Sequence, residues 1–359
     1  MVLKLAFERG SDSIFLQLCN PMLSYVEWFN DTVCGEKSSS RIWSDFVLSL
    51  RDILGWANFI IDYGGLGTVG IWSAFLHGAS LMHLDGLGLG TGLSSDDAKN
   101  TRSKAKFYLI GLVPDKFREE SLVGFVDESF DIEKSFITSQ GVFGIKPFLI
   151  RTGNEPIPSS LNFNLKAPTT CVNLRRVLRA MQLKKPILLE GSPGVGKTSL
   201  ISALARVSGH NLVRINLSEQ TDISDLMGSD LPVVDESAGA DGSMFSWCDG
   251  VFLKALKRGD WVLLDELNLA SQTVLEGLNS CFDHRAQVFV PELGQTFDCP
   301  DSFRVFAAQN PLAQVRNMKL RFLLNDRCLI SFHCIRAVVV KAYQSRFLIA
   351  LRKSMWTLC

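Results

Sequence analysis

The sequence predicts an α/β fold in which a parallel sheet carries polar residues at the tips of its strands. Three short apolar runs, at residues 186–189, 261–264 and 303–308, have the length and composition of buried strands. A glycine-rich loop follows the first run, and acidic or amide residues follow the other two. Open α/β sheets bind their ligands outside the carboxyl ends of their strands. We therefore expect the polar residues at these three tips to form one site.

The first run leads into a phosphate-binding loop. The segment from Gly191 to Thr198 fits the pattern G-x-x-x-x-G-K-[ST] at every defined position, and apolar residues at helical spacing follow it. In such a loop the backbone N–H groups surround a phosphate, the lysine reaches the β- and γ-phosphates, and the hydroxyl ligates Mg²⁺. The alternative, a chance glycine turn before an ordinary helix, leaves the lysine, the threonine and the flanking periodicity unexplained. The predicted nucleotide-binding residues are Gly191, Ser192, Pro193, Gly194, Val195, Gly196, Lys197, Thr198 and Ser199.

The other two tips supply the polar groups that phosphate chemistry needs. Asp265 and Glu266 end the second run, and we expect Asp265 to orient Mg²⁺ and Glu266 to polarise the attacking water. Asn310 follows the third run, where an amide suits the holding of that water or of the γ-phosphate. Taken alone, each tip also fits a solvated turn, since a proline follows Asn310. Beside the loop, they predict Glu266 and Asn310 as catalytic residues and Thr198 and Asp265 as ligands of Mg²⁺.

These three elements together resemble the Walker A, Walker B and sensor 1 elements of the AAA+ ATPases. Kinases and GTPases share the loop, but they lack the Asp-Glu pair followed by a strand that ends in Asn. Between residues 167 and 314 the resemblance narrows to the dynein-like branch of ring-forming AAA+ ATPases. That branch has a β-hairpin before the sensor strand, which residues 286–297 predict here. The other segments that carry the narrower resemblance are 211–221, 225–231, 265–270 and 278–285.

The resemblance implies an ATP hydrolase that uses ATP and Mg²⁺ and works beside adjacent AAA+ modules of the same ring. This branch includes a mechanochemical ATPase that pulls assembly factors off pre-60S ribosomal particles. The resemblance therefore further implies such particles and factors as partners, and a nuclear location. The alternative is a non-hydrolytic scaffold in which ATP only joins one module to the next. Glu266 and Asn310 favour hydrolysis because a binding-only site needs neither.

The resemblance also divides the chain into parts. We expect residues 1–140 to be the helical lid of a preceding AAA+ module, 141–170 an inter-module connector, 171–314 the nucleotide-binding core, and 315–359 a divergent tail. An amphipathic helix of the lid segment resembles the one that carries the sensor 2 arginine, which makes Arg51 the candidate for that role in the preceding module's site. The alternative for Arg51 is an ordinary solvated side chain.

The tail departs from the family pattern. Residues 315–359 contain nine Lys or Arg, one acid and no Gly or Pro, and neither the fifth strand nor the helical lid of an AAA+ core is recognisable there. Arg327 superficially resembles an arginine finger, but its flanks differ and we assign it no such role. The resemblance implies a sheet order of fifth-first-fourth-third-second, so without the fifth strand we expect the strand before Gly191 to lie at an open edge. We also expect nucleotide binding without efficient hydrolysis by this chain alone. A divergent splice form or a gene-model error explains this tail, and a genuine basic amphipathic extension is the alternative.

Composition excludes several other classes of protein. Lys plus Arg and Asp plus Glu are equal at 37 each, so no net charge attracts the chain to nucleic acid or anionic lipid. Nine cysteines occur without a C-x-x-C pair, and Cys281 and His284 lack a second ligand pair with zinc spacing. Free thiols and the absence of a charged-then-apolar leader at Met1 favour a reducing compartment.

The stretch from Asp62 to Asp85 has sequence features of a membrane span and of a dinucleotide-binding site. No formal charge occurs between Asp62 and Asp85, a length that suffices to cross a bilayer, but its many glycines favour a buried helix pair. The same stretch contains the spacing of a dinucleotide fingerprint, from Gly65 to Gly70. Only residues 81–84 remain for the second strand after the predicted helix, so a βαβ unit does not fit. We expect neither a membrane span nor a dinucleotide site.

Overall fold

The fold is taken from a computed structural model and has a helical part, a small sheet and a larger parallel sheet. Only the backbone pairing is described for residues 327–332 and 335–340. The structure describes residues 13–35, 46–64, 70–87, 95–125, 135–139, 141–158, 163–191, 193–233, 244–282, 287–310, 327–332 and 335–340.

The amino-terminal part is helical and is held together by aromatic packing. Tyr25 lies against Trp56 edge to face, with ring centroids 5.7 Å apart, and Trp28 stacks on Tyr108 at 4.3 Å. Trp56 is buried, and its Nε1 donates a hydrogen bond of 2.7 Å to the carbonyl of Phe75. The elements are a 3₁₀ turn Ser13–Leu18, α1 Cys19–Thr32, α2 Leu50–Gly64, α3 Ile71–Ala79, a π turn Ser80–Leu84, α4 Ser95–Gly111 and α5 Asp115–Ser121.

The charge-free stretch belongs to this helical packing. Its described residues run from the end of α2 through α3 into the π turn, and nearly all of α3 is buried. Residues 81–84 are helical, which confirms that they supply no second strand for a dinucleotide-binding unit. Gly65 and Gly67 lie outside the described residues. Among the described residues, no helix combines the length and the hydropathy needed to cross a membrane.

A small antiparallel sheet lies in and just before the segment that we predicted as a connector. Its three strands are β1 Phe136–Ser139, β2 Val142–Ile145 and β3 Phe148–Arg151, paired in chain order. The chain after β3 then attaches to the larger domain through two backbone hydrogen bonds. Gly153 N donates to the carbonyl of Ser208 at 2.7 Å, and Glu155 N donates to the carbonyl of Gly209 at 2.9 Å. A Cβ on Gly153 would collide with the Gly209 carbonyl, so this close approach requires glycine.

The larger domain alternates strands and helices. The helix stripe predicted ahead of the first strand is present in α6, with Leu174, Val177 and Leu178 fully buried. The elements are α6 Pro168–Ala180, β4 Ile187–Gly191, α7 Lys197–Val207, β5 Leu212–Asn216, α8 Ile223–Met227, β6 Gly228–Val233, β7 Met244–Asp249, α9 Val251–Arg258, β8 Trp261–Asp265, a 3₁₀ turn Leu267–Leu269, α10 Gln272–Phe282, β9 Gln287–Val290, β10 Gln295–Asp298 and β11 Arg304–Gln309.

Four parallel strands form the sheet that carries the three tips. Their order is β4-β11-β8-β5, which is the first-fourth-third-second order that the family resemblance implied. In register, Gln309 of β11 faces Glu190 of β4, and Asn216 of β5 faces Asp265 of β8. The carboxyl ends of all four strands therefore meet at one edge, because parallel strands keep the same direction. This edge carries the phosphate-binding loop.

Two hairpins project from this domain. β9 and β10 pair antiparallel, with Val290 opposite Gln295, as the segment before the sensor strand predicted. A second hairpin, formed by β6 and β7, was not predicted, and Leu231 and Phe245 are exposed on it. The sequence does not predict this hairpin, because Pro232 and Gly228 are residues that disfavour a strand.

The tail occupies the edge that we expected to be open. Two strands, β12 Arg327–Phe332 and β13 Ile335–Val340, form an antiparallel hairpin. β13 pairs antiparallel along β4, and three residues of β12 pair with β4 in parallel. β4 is therefore not an edge strand, although the antiparallel β13 is not the parallel fifth strand of the family either. The residues of both segments favour strands, and an apolar edge such as β4 readily accepts another strand.

A buried ionic cluster joins the helical part to the larger domain. Asp85 pairs with Arg179 at 3.2 Å and with Arg176 at 3.6 Å, both on α6. The side chains of Asp85, Arg179 and Arg176 are only 11%, 5% and 11% exposed, and we call them the Asp85 cluster. Burial raises the pKa of Asp85, but the positive charges of Arg179, Arg176, Arg102 and Lys106 together hold that pKa below its usual value. The cluster therefore keeps a carboxylate charged inside the protein.

Candidate functional site

The loop between β4 and α7 has the backbone that a phosphate site needs. Gly194 and Gly196 adopt φ values of 79° and 85°, a left-handed conformation that favours glycine. A Cβ on either would meet nothing within 4 Å, so conformation and not crowding requires glycine there. The loop thus borders open space immediately before the first turn of α7, where free N–H groups and the helix dipole attract anions. Ser192, another predicted loop residue, lies outside the described residues.

Lys197 lies at the start of α7 and folds back over the loop. Its Nζ donates one hydrogen bond to the carbonyl of Gly191 and a longer one, of 3.4 Å, to Oδ1 of Asn310. Only 9% of Lys197 is exposed. Burial lowers the pKa of Lys197, and the carboxylates of Glu266, Asp265 and Glu190 oppose that effect. The ammonium group is therefore positioned between the first and third strand tips.

Thr198 and Asp265 bring two oxygen groups together across the sheet edge. Thr198 Oγ1 donates a hydrogen bond of 3.2 Å to Oδ2 of Asp265, and the N–H of Glu266 donates to Oδ1 at 3.1 Å. A hydroxyl and a carboxylate are oxygen ligands of the kind that Mg²⁺ selects. In the described part of the chain, no group of three or more His, Cys, Asp and Glu side chains could hold a metal. The residues present therefore fit a Mg²⁺ ion that takes its remaining ligands from nucleotide phosphates and water.

Glu266 and Asn310 meet beside this pair. Asn310 Nδ2 donates a hydrogen bond of 3.2 Å to Oε2 of Glu266, and Asn310 Oδ1 accepts from Lys197. The amide thus connects the lysine to the carboxylate. Among the residues that the structure describes, Glu266 is the one non-glycine with positive φ, at 55°. Such a conformation costs on the order of 1–3 kcal/mol and is found preferentially at functional sites.

Three further residues at the site were not predicted. Arg214 of β5 donates a hydrogen bond of 2.6 Å from Nη2 to Oδ2 of Asp265, and we call these two residues the Asp265 pair. Glu190 and Gln309 are each 2% exposed and face one another across β4 and β11. The alternation of β5 could have indicated Arg214, because it places that side chain on the same face as Asn216, which ends the strand. Glu190 and Gln309 directly follow the apolar runs 186–189 and 303–308, so the strand-tip pattern that indicated Asp265 and Asn310 could have indicated them as well.

The remaining predicted residues lie elsewhere. Arg51 is half-buried in the first turn of α2, in the helical part. Its sensor 2 role in a preceding module's site stays a prediction. Ser199 follows Thr198 on α7 and is exposed. His284 and the side chain of Cys281 lie outside the described residues.

Comparison with known families divides the chain at similar places. Residues 186–328 match the AAA domain of the dynein-related subfamily, and residues 12–85 match the midasin AAA+ ATPase lid domain. The first match includes the loop and all three strand tips, and it ends fourteen residues beyond position 314, where we placed the end of the core. The second match includes α2 and Arg51 and ends at Asp85.

Several known proteins are similar in sequence. Midasin of Dictyostelium discoideum is 51% identical over 276 residues, or 75% of this chain, and midasin of Giardia intestinalis is 40% identical over 284 residues, or 77%. An uncharacterized protein of Staphylococcus saprophyticus is 33% identical over 130 residues, which is 36% of this chain and 48% of that protein. This chain spans only 5% and 6% of the length of the two midasins.

Proposed function

The chain belongs to the AAA+ ATPases of the dynein-related subfamily, and we propose that its larger domain binds ATP with Mg²⁺ and hydrolyses it within a ring of such modules. One observation carries this proposal. Lys197, Thr198, Asp265, Glu266 and Asn310, which come from three separate strand tips, are joined by hydrogen bonds at one edge of the sheet.

Each of these residues has a role that its position supports. Lys197 would exchange its hydrogen bonds to Gly191 and Asn310 for the phosphates. Thr198 and Asp265 would hold Mg²⁺, which neutralises charge on the phosphates when bound. Glu266 would accept a proton from the attacking water, and Asn310 would orient Glu266 through the hydrogen bond between them.

The similarity to midasin supports a more specific proposal. In that proposal the chain is a segment of a mechanochemical ring that removes assembly factors from pre-60S ribosomal particles in the nucleus. Adjacent modules of the ring and the pre-60S particle would be its partners. The lid match at residues 12–85 supports a neighbouring module, because a lid that precedes a core in the chain belongs to the module before it.

A second candidate function is a scaffold that binds ATP without hydrolysing it. The ion pair between Arg214 and Asp265 is the observation that favours it, since a cationic side chain already lies on a residue needed for metal binding. Against it, Glu266 keeps a strained backbone and a hydrogen bond to Asn310 that binding alone does not require. We therefore favour hydrolysis.

Removal of the Lys197 ammonium group tests nucleotide binding. Hydrogen bonds to charged groups contribute about 1.5–3 kcal/mol each, so Lys197→Ala should weaken binding of a fluorescent ATP analogue in Mg²⁺ about 100-fold or more. Far-ultraviolet circular dichroism should not change. Lys254→Ala, at an exposed lysine of α9, is the matched control and should bind like the parent. If Lys197→Ala binds the ATP analogue as tightly as the parent, the proposal is wrong.

Glu266→Gln tests the chemical step. The substitution keeps the side-chain volume and removes the base, so hydrolysis should fall about 10²- to 10⁴-fold while ATP affinity is kept. The measurement is phosphate release from a chain that includes the neighbouring modules. Glu292→Gln, in the exposed turn of the β9–β10 hairpin, serves as the control. Turnover by Glu266→Gln equal to that of a hydrolysing parent would show that Glu266 is not the base. ATP binding without turnover in the parent would favour the scaffold instead.

A further inference from the structure

Arg214 donates a hydrogen bond to the same oxygen of Asp265 that accepts from Thr198. We propose that Arg214 is a positioning residue whose guanidinium substitutes for a cation on Asp265 in the metal-free protein, and that Mg²⁺ must displace it when nucleotide binds. This inference rests on the proposed function, because it concerns the same Mg²⁺ site. It adds a control of metal affinity that lies outside the phosphate-binding loop and the three strand tips.

The geometry of one oxygen supports this competition. Oδ2 of Asp265 accepts from Thr198 at 3.2 Å and from Arg214 at 2.6 Å. Since Thr198 and Asp265 are the two groups predicted to ligate Mg²⁺, the oxygen between them is the one that metal binding would use. The other oxygen, Oδ1, accepts from the N–H of Glu266. Arg214 is thus paired with the oxygen that the metal site needs.

The structure also shows why this pairing can be broken. The side chain of Arg214 is 58% exposed, whereas that of Asp265 is 11% exposed. An exposed guanidinium exchanges its carboxylate partner for water at little cost, and such ion pairs contribute little to stability. Asp265, in contrast, needs a positive partner, since a carboxylate that lies away from water is costly without one. The pair therefore suits a site at which the guanidinium of Arg214 on Asp265 is exchanged for Mg²⁺.

Lys197 is a second cation near Asp265, and its charge also interacts with that carboxylate. Lys197 directs its Nζ to Gly191 and Asn310, and Glu266 and Glu190 add negative charge nearby. Arg214 is a cation at hydrogen-bond distance from Asp265, since its Nη2 donates to Oδ2 at 2.6 Å. Its removal should leave the hydrogen bond from Thr198 to Asp265 in place.

The test compares nucleotide affinity with and without metal. Arg214→Ala should bind a fluorescent ADP analogue about three- to fivefold more tightly than the parent in excess Mg²⁺, because Mg²⁺ no longer displaces an ion pair of that strength. In EDTA the two should bind equally. Arg214→Lys keeps the charge and should fall between them. Arg206→Ala, an exposed arginine on α7, removes the same charge and should match the parent in both conditions.

A second measurement needs no nucleotide. In EDTA, Asp265→Asn should lower the melting temperature of the parent but not that of Arg214→Ala, because the pair is already absent there. An equal or weaker Mg²⁺-dependent affinity in Arg214→Ala, or an equal effect of Asp265→Asn in both backgrounds, overturns the inference. If the parent binds no nucleotide, the proposed function fails, and the melting experiment alone decides whether Arg214 holds Asp265.

Discussion

The chain contains two Asp–Arg groupings that differ in how far their arginines are exposed to solvent. In the Asp85 cluster both arginines are enclosed, with side chains 5% and 11% exposed. In the Asp265 pair the arginine is 58% exposed. Buried guanidinium groups cannot be hydrated when their carboxylate is removed, whereas an exposed guanidinium can be. The comparison indicates that the first grouping stabilises the fold and the second regulates a site.

The largest effect should follow from Asp85→Asn. Loss of one partner leaves buried guanidinium groups without their carboxylate, which costs about 3–5 kcal/mol of unfolding free energy. Chemical denaturation monitored by circular dichroism measures that free energy. Asp96→Asn is the control, because the Asp96 side chain is 88% exposed in its ion pair with Lys99. An equal loss of unfolding free energy in Asp85→Asn and Asp96→Asn would contradict a stabilising role for the Asp85 cluster.

The same variant has a pH signature. The pKa of Asp85 in the folded protein lies below its usual value, so the unfolded chain binds more protons as the solution becomes acidic. The cluster's contribution is present above the unfolded pKa, about 4, and is lost as pH falls through the folded pKa. Below pH 4 the parent should therefore lose its stability advantage over Asp85→Asn.

A much smaller effect should follow from Asp265→Asn without metal or nucleotide. Arg214 is already largely in water, so the loss of unfolding free energy should be about 1 kcal/mol or less. Denaturation in EDTA, under the conditions used for Asp85→Asn, gives the comparison directly. A cost that approaches the Asp85→Asn value would show that the Asp265 pair is structural as well.

Local patterns explain what the sequence could predict. The loop and the two strand tips are contiguous motifs, and their helical and apolar flanks define β4, α7, β8 and β11. The order of the four parallel strands followed from the family resemblance, not from any residue pattern. The hairpin β9–β10 could be predicted because turn residues separate two short runs of strand-forming residues.

The groups that sequence reasoning missed depend on distant contacts. Arg214 reaches Asp265 only because β5 lies beside β8 with Asn216 in register with Asp265. Asp85 and Arg179 are far apart in the chain and meet only when the helical part packs on α6. The pairing of β13 with β4 was missed for a related reason, because β-pairing depends on which edge is available as well as on the strand itself.

The close approach of Gly153 and Gly209 gives the phosphate-binding helix a second attachment. α7 begins at Lys197, beside the phosphate-binding loop, and ends just before the residues that hydrogen-bond to the chain after β3. A shift of α7 along its axis would therefore pull the segment between the helical part and the larger domain. The helix thus links the phosphate-binding loop at one end to the segment after β3 at the other. Under the proposed function, nucleotide bound at the amino-terminal end of α7 would then act mechanically on the segment after β3.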